Sequence, residues 1–419
     1  MQHILFIGFV WPEPNSSAGG ARTMQLIELF QKQNWKITFA SAAAGSEFAV
    51  DLKSLNINKV AIELNSKSFD EFIKKLQPTI VVFDRFVMEE QFGWRVAENC
   101  PDALRILDTI DLHCLRLARQ KALKDNKAFT LNDLNSDTAK REIASILRCD
   151  ISLMISNIEM ELLLNHFKID KSLLYYLPFL LNPIEKNVID NWPTFEERKG
   201  FMTIGNFLHE PNWDAVVYLK KEIWPRIRKQ LPYVELYVYG AYTSQKVNEL
   251  HKPKEGFHIM GRVEHVKDVF LKAKICLAPL RFGAGIKGKL IDAMIYGTPS
   301  ITTDIGAESM HGNLDWNGII ANTSEDFANG AVQLYENATD WKVAQKKGAI
   351  LINTYYSKKS GEKLINKILS IQQNFELHRS ANFIGAMLMH HIMSSTKYMA
   401  QWIEEKNKTQ KKFKILPKH

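Results

Sequence analysis

The chain has 419 residues, 46% of them hydrophobic and 24% charged, which is a globular composition too long for one core, since single cores stop growing near roughly 250 to 300 residues. The formal charge is +8, and much of it sits in the closing stretch EEKNKTQKKFKILPKH, where lysines outnumber acids and lack the interleaved aromatics of a nucleic-acid groove, so nucleic acid is excluded as a partner. Cys100, Cys114, Cys149 and Cys276 stand far apart with no Cys-x-x-Cys pair, which excludes a zinc site or disulfide framework and points to a reducing cytoplasm, and no apolar run reaches the roughly 18 to 20 residues of a membrane span.

Ile4 to Val10 is apolar but has no basic leader and stops at Trp11-Pro12, so HILFIGF reads as a first buried strand and not as a signal peptide. The loop WPEPNSSAGG follows, and then ARTMQLIELFQKQ, a helix with Leu26, Leu29 and Phe30 inward. Further strands are expected at KITFAS, TIVVFDR, LRILDT and CDISLMIS. Strand-helix alternation predicts a parallel sheet with helices on both faces and ligands at the carboxyl ends of strands. Two segments fall there. Gly19 and Gly20 close the first loop at a helix amino terminus, and Arg22 follows as a phosphate contact, against a plain turn and a solvated arginine. In DTIDLHCLRLAR, Asp108, Asp111, His113, Arg116 and Arg119 crowd into twelve residues; His113 suits positioning or deprotonating an acceptor hydroxyl, and Arg116 suits a bidentate phosphate clamp, against a structural histidine.

The second half repeats the alternation. FMTIG is a strand, Asn206 follows it, and Pro211-Asn212 opens a helix with Asn212 as its cap. VELYVYG and FHIMGRV are strand-like, and Arg262 after the latter suits either phosphate or a surface ion pair. The strand within ICLAPL then meets Gly283, Gly285 and Gly288, which permit a tight loop, and a helix begins near Lys287. Its free first-turn N–H groups and the macrodipole favour an anion by roughly 0.3 to 2 kcal/mol. Lys287 and Lys289 add charge, and Asp292, near one turn beyond Lys289, suits the vicinal hydroxyls of a ribose. Glu308, in TDIGAES after the strand SITT, is either a ligand group or a loop acid.

Gly285, Lys287, Lys289, Asp292, Ala293, Gly297 and Pro299 resemble the donor-binding signature of nucleotide-sugar glycosyltransferases of family four, glycosyl transferases group one. Gly205, Pro211, Asn212 and Asp214 resemble the start of the second domain in the same enzymes. The family has two glutamates eight positions apart; this chain has Ala284 at the first and Asp292 at the second. The resemblance implies an α/β fold of the GT-B type, two doubly wound Rossmann-like domains facing a cleft. It implies that the donor's diphosphate lies beside Gly19, Gly20, Gly283, Gly285, Lys287 and Lys289, that Glu308 lies near its sugar or base, and that anomeric configuration is retained.

The expected organisation is an acceptor-side domain over 1–190, a nucleotide-sugar domain over 191–375, and a helical segment with a basic tail over 376–419. The donor is a nucleotide-diphosphate sugar and the acceptor a hydroxyl of a glycan, lipid-linked molecule or protein. No cofactor and no metal are expected, because no Asp-x-Asp triplet occurs. Ala284 and Asp292 keep open a catalytically inactive binding module, and the fold keeps open a nucleotide-sugar epimerase. Ile384, Leu388, Ile392, Met399, Trp402 and Ile403 fall on one broad helical face. That face either packs back across both domains or, with the lysine tail, meets an anionic membrane peripherally at the inner face.

Overall fold

The computed structural model describes residues 2–415, and the side chains of all of these but 391–394 and 410–415. Its first sheet holds β1 (His3–Gly8), β2 (Lys36–Ser41), β3 (Asn58–Ala61), β4 (Ile80–Asp84), β5 (Leu104–Asp108), β6 (Ile151–Met154) and β7 (Leu174–Tyr176), in the order β3-β2-β1-β4-β5-β6-β7. The second holds β8 (Phe201–Ile204), β9 (Leu236–Tyr239), β10 (Phe257–Gly261), β11 (Ile275–Ala278), β12 (Ser300–Thr302) and β13 (Gly318–Ile320), in the order β10-β9-β8-β11-β12-β13. All pairings are parallel. Strand order reverses between β1 and β4 and again between β8 and β11, and at each reversal the connecting loops part to leave a crevice.

Burial on both faces explains the apolar runs. Ile4 and Phe6 of β1 pack with Ile80, Val82 and Leu153 on one side, while Leu5 and Ile7 pack with Val81, Phe83 and Leu107 on the other. Leu26, Leu29 and Phe30 are inward as the periodicity predicts. Three strands were not expected. β3 is an edge strand with Asn58, Lys59 and Ala61 exposed, and β7 and β13 have three residues each, too few for a period to register.

The domain boundaries need two corrections. The helix Lys359–Gln373 belongs to the first domain, because Leu364, Ile365, Ile368 and Ile371 enter the layer built on Ile4, Phe6 and Ile80. Phe179, Ile184 and Trp192 conversely join Leu290, Met294 and Leu351 of the second. The chain thus crosses between domains twice.

The helix Phe383–Ile415 follows and lies on the first domain, against the helices Phe86–Asn99 and Asp137–Arg148. The stripe expected to brace the fold does not bury as one face: Ile384, Met399 and Trp402 are 54%, 59% and 61% exposed. Gly385 and Ala400 make the close approach instead, and Glu404 sits 3.8 Å from Arg95. Ile392 lies outside the residues whose side chains are described.

Candidate active site

A cleft of about 780 Å³ separates the carboxyl edges of the two sheets. Its second-domain wall is built on the β11 loop. Gly283 and Gly285 have φ of +159° and +64°, and a Cβ on Gly285 would lie 2.9 Å from the Asp111 Cβ, so the residue must be glycine for both its conformation and its neighbour. The loop feeds the helix Gly288–Ile295, whose amino end has no side-chain cap and opens into the cleft. Lys287 is the residue at that cap, and its Nζ donates to Gly285 O at 2.9 Å. Lys289 Nζ donates to Asn212 Oδ1 at 2.8 Å. Among the described residues it forms no ion pair with a carboxylate, and burial lowers its pKa to about 8. Asp292, one turn on, accepts no hydrogen bond from a described side chain, and burial raises it to about 7.

Asn212 is not a helix cap. The helix Glu210–Tyr218 begins earlier, with His209 at the cap position and Pro211 in the first turn. Asn212 instead donates to Asn206 O at 3.0 Å and holds Lys289 with its oxygen. His209 itself lines the cleft and is pushed down to about 4, first by desolvation and then by Arg116, Lys289 and Arg85, against the pull of Asp111. Asn206 and Arg262 also line the cleft; the Arg262 guanidinium stands 4.3 Å over the Phe48 ring.

The first-domain wall carries two strained positions. Ile110 has φ +62°, an outlier for a β-branched residue, and turns Asp111 toward the cleft. Arg85, directly after β4, has φ +72° and ψ 157°, a region that only glycine adopts freely. Such positions cost about 1 to 3 kcal/mol each and persist only where the surroundings impose them. Asp111 Oδ2 accepts from Arg116 Nε at 2.6 Å, and Oδ1 lies 3.3 Å from His113 Nε2. Burial works to raise the Asp111 carboxyl, but Arg116 and His113 outweigh it and hold it well below the usual range. His113 opens the helix His113–Lys124, where the carboxylate of Glu142 accepts its N–H at 2.9 Å and that of Cys114 at 2.8 Å. A neighbouring helix supplies the missing cap.

Three contacts clamp the walls together. Glu159 Oε1 accepts from Gly285 N at 2.6 Å and Leu112 N at 3.3 Å. Arg119 grips both oxygens of Glu308, at 2.7 and 2.8 Å, and donates to Gly283 O at 2.9 Å. Tyr242 donates to Glu13 at 2.8 Å at the mouth.

Of the residues singled out by sequence, Gly19, Asp111, His113, Arg116, Asn206, Arg262, Gly283, Gly285, Lys287, Lys289 and Asp292 line one cleft. Four others do not. Asp108 is buried at the end of β5 in an ion pair with Arg22 at 2.8 Å, and Arg22 also donates to Leu177 O at 2.7 Å, so this pair ties strand to helix behind the wall. That burial removes Asp108 from the catalytic set and Arg22 from the acceptor side. Gly20 packs on the Glu13 backbone, where a Cβ would lie 2.5 Å from the Glu13 oxygen, within a helix that begins at Ala18 and is capped by Ser17. Glu308 is held in the Arg119 clamp and is not among the residues that line the cleft. Sequence reasoning passed over Arg85, His209 and Glu159. Only Glu159 carried a local signal, a Ser-x-x-Glu helix start, and its side chain leaves that cap for Gly285.

Residues 198–337 match the family model Glycosyl transferases group 1. The chain carries a glycosyl transferases group 1 domain. That domain holds β8 to β13 and the whole glycine-lysine wall of the cleft. The two-domain frame is that of GT-B glycosyltransferases. Sucrose-phosphate synthase from Thermosynechococcus elongatus superposes with a TM-score of 0.64 at 14% identity, over 90% of this chain and 100% of that one. HepE from Anabaena, solved with UDP and glucose, gives 0.64 at 11% identity, over 88% and 99%. TarM from S. aureus, solved with UDP, gives 0.56 at 16% identity over 72% of this chain, which spans 58% of TarM's length. No curated protein sequence matches the chain. Over residues 198–337 the chain is similar to glycosyl transferases group 1, and its two-domain fold is shared with the solved glycosyltransferases.

Proposed function

We propose that the protein moves a sugar from a nucleotide-diphosphate donor, held by the group 1 domain, to an acceptor hydroxyl presented by the first domain. One observation carries this reading: the open amino end of Gly288–Ile295, Lys289 without a carboxylate partner among the described residues, and Asp292 without a hydrogen-bonding side chain among them all line one cavity. A diphosphate complements the helix end and the lysine, and a ribose complements the acid. The bound UDP of HepE and TarM supports the same donor class.

The leaving diphosphate gathers charge as the glycosidic bond breaks, and fixed N–H groups and Lys289 stabilise it in place of a metal. Metal independence is part of the proposal; among the described residues no group of three or more His, Cys, Asp or Glu side chains is arranged to hold an ion. His113, oriented by Asp111, positions the acceptor hydroxyl, and retention of configuration follows the family resemblance. A cytoplasmic location suits the donor and the four buried free cysteines. No described helix is long and apolar enough to cross a membrane. The outward face of Phe383–Ile415, with Phe383, Ile384, Met387, Tyr398, Met399 and Trp402 exposed beside Lys406 and Lys408, supports a peripheral contact with anionic lipid.

Calorimetry of the purified protein against UDP, GDP and ADP, alone and as their sugar conjugates, with and without EDTA, tests the reading. Micromolar binding of one diphosphate series that survives EDTA is expected. No binding by any of them, or binding only after manganese is added, overturns it.

A further inference from the structure

We infer that Arg85 forms the acceptor's anion subsite, so that the acceptor carries a phosphate or carboxylate close to the hydroxyl that is glycosylated. The inference rests on the donor assignment above, which fills the crevice of the second sheet and leaves that of the first for the acceptor.

Arg85 stands at the switch point of the first sheet. It directly follows β4, which pairs with β1, and the loops leaving these two strands bound the crevice where open parallel sheets take ligands. The strands are tied there by Phe9 N donating to Asp84 Oδ2 at 3.1 Å. The backbone of Arg85 adopts a conformation suited to glycine, with φ +72° and ψ 157°. A glycine there would relieve the strain, so the side chain is what the position retains. Its guanidinium lines the cleft, and no described group hydrogen-bonds it. The nearest acid, Asp84, has Oδ1 3.7 Å from Nε, outside hydrogen-bond distance.

The surroundings specify the ligand further. A Cβ on Gly19 would lie 3.4 Å from Nη2, so the guanidinium faces the first turn of the helix Ala18–Gln31, where free N–H groups also favour an anion. Phe9 lies beneath the guanidinium at 5.0 Å. Phe9 and Val10 are 44% and 43% exposed at the same edge, an apolar shelf for the part of the acceptor beyond its charge. Across the cleft stands His209, whose titration is lowered in part by Arg85, which places the two walls within electrostatic reach. The guanidinium fork matches a phosphate or carboxylate bidentately, which a lysine there would not.

The test compares glucose 6-phosphate with glucose, each titrated by calorimetry into the protein saturated with its preferred nucleoside diphosphate, for wild type and Arg85→Gly. Glycine suits the backbone, so the variant is expected to melt no lower than wild type. Wild type should bind glucose 6-phosphate at least tenfold more tightly than glucose, and Arg85→Gly should lose that preference while its nucleotide affinity stays within twofold. Equal binding of the two sugars by wild type, or a preference that survives in the variant, overturns the subsite. A drop in nucleotide affinity in Arg85→Gly also overturns it and makes Arg85 a donor contact. If no nucleotide binds, the same titration without nucleotide decides: a preference lost with Arg85 keeps the subsite while the donor reading fails.

Discussion

Lys289 and Asp292 stand one helical turn apart in the same cleft, and burial moves both toward neutrality, the lysine down to about 8 and the acid up to about 7. A bound diphosphate raises the lysine again. The complex therefore keeps a proton that the free protein loses above pH 8, so the lysine's contribution to nucleotide affinity is level below about pH 8 and falls as pH rises through it, by at most about tenfold per unit. Lys289→Ala removes a charge-assisted contact of about 1.5 to 3 kcal/mol, a loss of roughly ten- to a hundredfold, and flattens the alkaline decline. Calorimetry with the nucleoside diphosphate across that pH range checks both effects; unchanged affinity in the variant removes Lys289 from the phosphate site. These two residues were legible in the sequence because glycine loop, lysine and acid are neighbours along one helix. Arg85 and Asp108 were not, because one owes its place to a strained backbone and the other its burial to a partner 86 residues away.

At the scale of elements, the cleft is set by how the glycine loop meets the first domain. Strand and helix order was readable from period and punctuation where central strands such as β1 and β4 are apolar on both faces and helices such as Ala18–Gln31 show an inward stripe, and was not readable at β3, β7 and β13. The clamps were not readable. Glu159 starts as a capping-box residue, yet its carboxylate crosses to Gly285, and burial raises its pKa while lowering that of nearby Lys287. Removing the acceptor strands the buried N–H of Gly285, a penalty of about 1 to 3 kcal/mol. Glu159→Ala should lower the unfolding free energy by that amount, read as a fall in the urea midpoint at unchanged slope, and weaken nucleotide binding, because the loop loses its anchor. Glu159→Gln keeps an oxygen for Gly285 and, since burial already favours the neutral carboxyl, should retain most of both properties. An alanine variant that unfolds and binds like wild type would show that the contact does not hold the loop.

For the whole molecule, the two crossings of the chain divide the labour that the sequence assigned to its last segment. The helix Lys359–Gln373 ties the carboxyl-terminal part of the chain back to the first domain's core, whereas the described residues of Phe383–Ile415 meet that domain at Gly385, at Ala400 and in polar contacts such as Lys397 with Glu98 at 2.8 Å. Helical spacing alone could not separate these roles, because both segments present apolar residues at i, i+3 and i+4. Stopping the chain after Asn382 removes little buried apolar area, so at roughly 25 cal/mol per Å² the thermal midpoint should fall by only a few degrees. The same truncation should abolish binding to phosphatidylglycerol-containing vesicles, and high salt should weaken that binding in the full chain, because lysines on this helix and its tail supply the attraction. The tail residues Lys411, Lys412 and Lys414 lie outside the residues whose side chains are described, and their part in it is read from sequence. A truncated protein that melts far below wild type restores the bracing role to this helix. One that is stable and still binds the vesicles places the membrane contact elsewhere on the molecule.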